Sequence, residues 1–315
     1  MIKRTVEISR EAAHLTVRQK QLLVLRDEQT AGSIPCEDIG VVLVDHPGVT
    51  YSHAMLASLA DSGATLIVCG RNHLPTAVLL PLADHTQVVW RINEQLGASK
   101  PLRKSLWKQL VQAKIRAQAA NLATTCPAKN KLLDLARSVR SGDPSNVEAQ
   151  AARVYWTNYR PVETFRRDPG GEELNALLNY GYAVVRAATA RAVVAAGLLP
   201  AIGLHHHNRS NAFCLADDLM EPLRPVVDDR ARDLYEQGYR EVTPEAKAEL
   251  LKVLAEPVQM GDEQGPLMTN LHRMARSLVR CFQGESKKLN IPVWRPPKQE
   301  EPRMDGTKTT GSPRC

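Results

Sequence analysis

The sequence predicts an α+β protein: a small β-rich domain over residues 1–88, then a larger helical domain over 89–290. Three observations carry this. The first part is written in short runs of Val, Leu, Ile and Thr broken by turn residues. From about residue 90 the apolar residues fall at helical spacing instead. A chain of 315 residues is also too long for one ordinary core, so two domains are expected. The last segment, 291–315, holds five prolines and no periodicity, and reads as a disordered tail.

Taken in order, "TVEIS", "HLTVRQKQLLVL", "IGVVLVD", "TLIVCG" and "TAVLLPL" have strand composition. Between two of them, "TYSHAMLASLADSG" reads as one helix, with Thr50 or Ser52 near its cap and Gly63 after its end. This half has no Gly-rich phosphate loop and no cluster of titratable groups, so it reads as scaffold. In "SLWKQLVQAKIRAQAANLA", Leu106/Leu110 and Val111/Ile115 sit four apart, as one buried stripe requires. "EELNALLNYGYAVVRAATARAVVAAG" begins after the turn "DPGG" and stops at Gly197, and its alanines imply close approach to neighbouring helices. In "LHRMARSLVR", Arg273, Arg276 and Arg280 fall three and four apart. That is a basic ridge able to lie along a phosphate backbone, although exposed arginines on any surface helix look the same.

Composition narrows the class. No stretch approaches the ~18 uninterrupted apolar residues of a membrane helix, and "MIKRTVEISR" lacks the apolar core of a secretory signal. Cys36, Cys69, Cys126, Cys214, Cys281 and Cys315 include no CxxC pair, which argues against a disulfide framework or a zinc ribbon. A reducing cytoplasm is the expected location. The net charge of +7 is unevenly placed. Residues 1–90 hold seven Lys/Arg against nine Asp/Glu, whereas 100–140 hold ten basic residues against one acid, Asp134. Such a field favours a polyanion, most simply nucleic acid, while a solvated helical face is an equal reading of the charge run taken alone.

Residues 203–225, "GLHHHNRSNAFCLADDLMEPLRP", gather imidazoles and carboxylates. Asp218 and Glu221 lie three apart and share a face if helical; Asp217 is placed to cap that helix, and Pro222 to kink or end it. A third carboxylate, Glu148, is followed by Ala149, Ala151 and Ala152, small side chains that let another segment approach. Imidazole with two or three carboxylates is a borderline-to-hard ligand set, suited to Mg²⁺ or Mn²⁺. Plainer readings compete. Glu148 stands three after Ser145, the spacing of a capping box; a histidine run in a loop is often idle; acids at a helix start suit its dipole.

With these residues in view, the sequence resembles the CRISPR-associated spacer-acquisition integrase, the endonuclease-like subunit of CRISPR adaptation. "EDIGVVLVDHPGVTYSHAMLASLADSGATLIVCGRNHLP" is similar to its β-domain. "NVEAQAARVYW", "LNALLNYGYAVVRAATARAVVAAGLLPAIGLHHHN" and "FCLADDLMEPLRPVVD" are similar to its three signature blocks, in order. The form is nearest to that of systems with a single large RNA-guided effector nuclease, which adds that effector to the partners implied.

The resemblance implies an N-terminal β-sandwich-like dimerisation domain and an all-helical catalytic domain. It implies a homodimer joined to a small ferredoxin-like partner subunit, and duplex DNA as substrate. It places the metal ligands on Glu148, His206 and Glu221, with Asp218 assisting, and the ion as Mg²⁺ or Mn²⁺. The reaction implied is attack by the 3′-hydroxyl of a DNA fragment on a phosphodiester of the CRISPR repeat, or hydrolysis when water attacks. Lys104, Lys108, Lys114, Arg116, Arg273, Arg276 and Arg280 are the DNA-holding residues this reading suggests. The rivals are a metal-dependent nuclease outside adaptation and a non-catalytic DNA-binding module.

Overall fold

The computed structural model describes residues 3–71, 75–81, 86–159 and 165–296. Its N-terminal half is β1 (Arg4–Ile8), β2 (His14–Arg18), β3 (Gln21–Arg26), β4 (Gln29–Pro35), β5 (Ile39–Val44), β6 (Thr50–Tyr51), α1 (His53–Asp61), β7 (Thr65–Cys69) and β8 (Pro75–Leu79). These strands form two four-stranded sheets. One is ordered β1-β5-β7-β8, with β1, β5 and β7 parallel and β8 antiparallel. The other is ordered β4-β3-β2-β6 and is antiparallel except where β6 runs along β2.

The run "HLTVRQKQLLVL" folds as a hairpin rather than one strand. Gln19 and Lys20 both take positive φ (51° and 59°), which turns β2 back on β3 without a glycine. Ser52 caps α1 by accepting from the Met55 amide at 3.1 Å, and Gly63 (φ +66°) follows its end.

The helical half comprises α2 (Val88–Gly97), α3 (Lys100–Asn121), α4 (Pro127–Ser138), α5 (Val147–Asn158), α6 (Leu174–Ala195), α7 (Cys214–Met220), α8 (Arg224–Glu236) and α9 (Pro244–Leu251). Then come β9 (Pro257–Met260), β10 (Glu263–Pro266) and α10 (Leu267–Phe282). The expected stripe on α3 is real, since Leu106, Leu110, Val111 and Ile115 are fully buried. The small residues of α6 do admit a neighbour: a Cβ at Gly181 would stand 2.4 Å from Val227 of α8.

Strand β5 joins the two halves because both its faces are covered. Val42 and Val44 enter the core shared by the sheets, Leu15 and Met55 included, while Val41 and Leu43 enter the helical core. A buried ion pair, Lys247 of α9 with Asp45 just after β5, crosses the same junction.

Two expectations need correction. The second half is not all-helical: β9 and β10 form an antiparallel hairpin about the turn Gly261–Asp262, where Gly261 adopts φ +63°. The tail does not begin at 291 either. Val293 pairs with Gln259 on the free edge of β9, and Trp294 is 4% exposed against the helical core. A single Trp and one strand edge suffice to order a segment that composition marks as disordered. The remainder of that tail, 297–315 with Cys315, lies outside the described residues.

Candidate active site

Four segments converge on one cluster of charged side chains. Its central acid, Glu221, occupies the break between two helices. Pro222 has no N–H to continue the α7 ladder, so Glu221–Leu223 closes as a 3₁₀ turn before α8 starts at Arg224, with Pro225 in its first turn. The break aims the Glu221 side chain, 6% exposed, at α3. There Lys114 places its ammonium 2.6 Å from Glu221 Oε2 and 2.5 Å from Glu148 Oε1. Arg224 Nε donates to Glu221 Oε1 at 2.9 Å. Burial alone would raise the Glu221 carboxyl, but Arg224 and Lys114 outweigh it and hold the group down at about 2. Among these contacts, Glu221 Oε2 faces the ammonium without a hydrogen bond of good geometry.

Glu148 is free to point at Lys114 because something else caps its helix. Asp143 accepts from the Val147 and Glu148 amides, both at 2.9 Å, whereas Ser145 accepts from Arg140. The capping-box reading therefore fails, and its cap is an acid two residues further upstream. Asp217 is no cap either: it binds Arg186 at 2.8 Å and Asn211 at 2.6 Å.

Asp218 is wholly buried, and the chain at 204–206 wraps it. Its oxygens accept from the amides of Leu204 (2.6 Å), His205 (3.0 Å) and His206 (3.3 Å) and from His206 Nδ1 (2.6 Å). The wrap needs Gly203, since a Cβ there would lie 2.4 Å from the His206 carbonyl oxygen and 2.8 Å from Asp218 Oδ2. Both Asp218 oxygens are thus committed to holding the loop and the His206 ring. The hydrogen bond from His206 to Asp218 raises the imidazole pKa against the opposing effect of burial. With Nδ1–H donated, the neutral ring keeps its lone pair on Nε2.

Of the three histidines, His206 lines a pocket beside Glu221. His205 lies flat on Trp107, with ring centroids 4.3 Å apart and planes 1° apart, and burial lowers its pKa. His207 is exposed. The pocket has a volume of about 400 Å³, and Arg167, Arg186, Arg224, Tyr182 and Asp217 also line it, three arginines against the two acids Asp217 and Glu221. The Arg224 guanidinium sits 4.6 Å from the Tyr182 ring centroid.

The residues expected to hold DNA part company. Lys114 is no surface cation: its charge is spent on the two acids, because its side chain is 12% exposed on the inward face of α3. Lys104 is exposed and Lys108 half-buried. Arg116, Arg273, Arg276 and Arg280 share one groove of about 730 Å³ with Lys288. Within it Arg273 pairs with Glu263 and Arg280 with Glu285. Trp107 and Arg224 are site residues the sequence reading does not name, and Lys114, named there for DNA, instead pairs with the two acids. Trp107, Val111 and Lys114 fall at helical spacing, so a lysine on a buried stripe was the available signal.

Comparison with known proteins gives the family. The sequence description of one family, "CRISPR associated protein Cas1", matches residues 6–245. A CRISPR-associated endonuclease Cas1 of Neisseria meningitidis serogroup C (strain 8013) is 36% identical over 290 residues, covering 90% of this chain and 94% of that protein. This chain belongs to the Cas1 family. The expected role, a DNA endonuclease and integrase of CRISPR adaptation, stands with that membership.

A second Cas1 endonuclease, from Pyrobaculum aerophilum, is 28% identical and covers 84% of this chain and 94% of its own length. Among solved structures, a casposase bound to integration product superposes with a TM-score of 0.73 at 18% identity, covering 92% of this chain and 93% of that one. A Cas1 protein from Thermotoga maritima gives 0.69 at 15% identity, covering 89% and 97%. At such identities these two establish the Cas1 fold, N-terminal strands followed by a helical part.

Proposed function

We propose that this Cas1-family enzyme performs strand transfer at a single divalent-ion site formed by Glu148, His206 and Glu221. Its resident ion would be Mg²⁺ or Mn²⁺. The observation that carries the reading is the Asp218–His206 hydrogen bond, because a metal-binding imidazole almost always donates its other N–H to a carboxylate. The donor set of one imidazole and two carboxylates fits a hard divalent ion, and the buried Glu221 Oε2 already holds a cation, the Lys114 ammonium, at 2.6 Å. Among the described residues no three His, Cys, Asp or Glu side chains are gathered closely enough to chelate an ion as they stand. An ammonium lies between the acids instead.

A divalent ion bound here would supply Lewis acidity to a phosphoryl oxygen and to the leaving 3′ oxygen. The protein's own share is positional. Asp218 fixes the ring of His206 and is a positioning residue, not a ligand. Arg167, Arg186 and Arg224 give the pocket wall a charge suited to phosphate. No side chain need act as nucleophile, since the 3′-hydroxyl of the DNA fragment serves.

On the same reading, residues 1–88 form a sandwich-like dimerisation domain and 89–290 the catalytic domain. The groove of Arg116, Arg273, Arg276 and Arg280 holds DNA through phosphates. A Cas6-RT-Cas1–Cas2 complex among the similar structures, with a TM-score of 0.73 at 16% identity over 94% of this chain and 36% of that one, supports a Cas2-type partner. The test is incubation with a supercoiled repeat plasmid, short duplex DNA, Mn²⁺ and the partner subunit. Fragment ends joined into the repeat are expected; binding without joining in any divalent ion would favour a non-catalytic module.

A further inference from the structure

The most unusual feature of the site is the cation already between its acids. Lys114 projects from a buried helix face, and its ammonium touches one oxygen of each proposed carboxylate ligand, at 2.5 and 2.6 Å. Lys114 and Arg224 balance Glu148 and Glu221 in charge, so the acid pair is neutralised with no ion present. A divalent ion bonds carboxylate oxygens at about 2.0–2.6 Å. Using these same two oxygens, it would stand within about 4 Å of the ammonium, and like charges that close in a half-dry site repel strongly. The ion and the ammonium therefore compete for one place.

We propose that Lys114 is a built-in counter-cation that occupies the ion's position in the metal-free enzyme and must withdraw for the ion to enter. This rests on the metal-site reading above. Two consequences follow. Lys114 keeps two close carboxylates from repelling while the site awaits its ion, so the metal-free fold is stable. It also weakens metal binding, because every loading event breaks two ion pairs. Loading is then an exchange of ammonium for divalent ion between the same oxygens, with Arg224 left in place to hold Glu221 Oε1.

The test is Mn²⁺ binding to the full chain without DNA, by titration calorimetry, for the natural protein and for Lys114→Gln, Lys114→Met and His206→Ala. Both Lys114 variants are expected to bind Mn²⁺ about tenfold or more tightly, the competitor being gone. Their metal-free melting temperature should fall, and Mn²⁺ should raise it by more than it raises that of the natural protein. A folded Lys114 variant with unchanged or weaker affinity overturns the inference. Variants that fold only with Mn²⁺ support it, since the ion then replaces the ammonium; variants that fail to fold even with Mn²⁺ overturn it. If the natural protein shows no saturable Mn²⁺ binding, or binding that His206→Ala leaves unchanged, the metal-site reading fails first, and the two failures are thereby distinguished.

Discussion

Glu221 and Asp228 are two buried acids seven residues apart, one at the turn before α8 and one within it. Glu221 meets Lys114 and Arg224. The Asp228 carboxylate accepts from hydroxyls, Tyr155 at 2.9 Å and Tyr182, and Arg224 and Arg167 act on it only through space, more weakly than burial does. Burial raises the Asp228 carboxyl to about 6 despite those bonds, whereas the two cations pull Glu221 down to about 2. The same residue class at similar depth thus behaves in opposite ways. Tyrosines around an acid fix helices to one another and give it nothing to exchange. Cations around an acid keep it ionised, so that a stronger cation can take the place of one of them. Burial alone does not mark a ligand; the charge of the neighbours does.

The largest expected difference between the two is in activity. Glu221→Ala and Glu148→Ala are each expected to lower Mn²⁺-dependent strand transfer by on the order of 10³-fold, several kcal/mol of lost charge stabilisation, while the fold survives. Asp228→Asn, assayed beside them, should leave it within about threefold, because Asp228 touches no reacting group. Asp218→Ala belongs between, at about 10–100-fold, the usual cost of losing the partner that orients a metal-binding histidine. Equal losses in Glu221→Ala and Asp228→Asn would erase the distinction.

A smaller effect is expected in stability against pH. The folded Asp228 carboxyl, at about 6, lies above its ordinary 3.8, so its contribution is present below pH 3.8 and lost as pH rises through about 6. Glu221 has the opposite sign. Its folded value of about 2 lies below the ordinary 4.5, so its contribution is present above pH 4.5 and lost as pH falls toward 2. Each is on the order of 3 kcal/mol. Thermal melts across pH 3–7 should show Asp228→Asn flattening the decline above pH 4 and Glu221→Gln flattening the decline below it. Parallel curves for the two variants would contradict the assignment.

The sequence carried the fold where one local signal decides it. Short runs of Val, Leu, Ile and Thr between turn residues marked the strands, the Leu106/Leu110 stripe marked α3, and Pro222 marked the helix break that presents Glu221. It misled where a distant contact overrides composition, as Trp294 does at the start of a proline-rich tail, and where two nearby residues compete for one role, as Asp143 does in capping α5 in place of Ser145. The site was legible as a set of residue types, "HHH", "DDLME" and Glu148, and the resemblance named the same residues. The roles within it were not. Lys114 counted as one more unit in a basic segment, since nothing in a linear charge count reveals which face of α3 it occupies. Asp218 and Glu221 sit three apart, yet one is consumed by the 204–206 backbone and the other faces the pocket. Only the geometry of Gly203 and Pro222 separates them.

The central claim is that His206, and neither neighbouring histidine, completes an ion site with Glu148 and Glu221. Pulsed electron paramagnetic resonance of bound Mn²⁺ reads it directly through the coupling of the metal electron to a histidine nitrogen. The account predicts one such coupling in the natural protein, lost in His206→Gln and retained in His205→Gln and His207→Gln. Coupling that survives His206→Gln, or vanishes with His205→Gln, would contradict it.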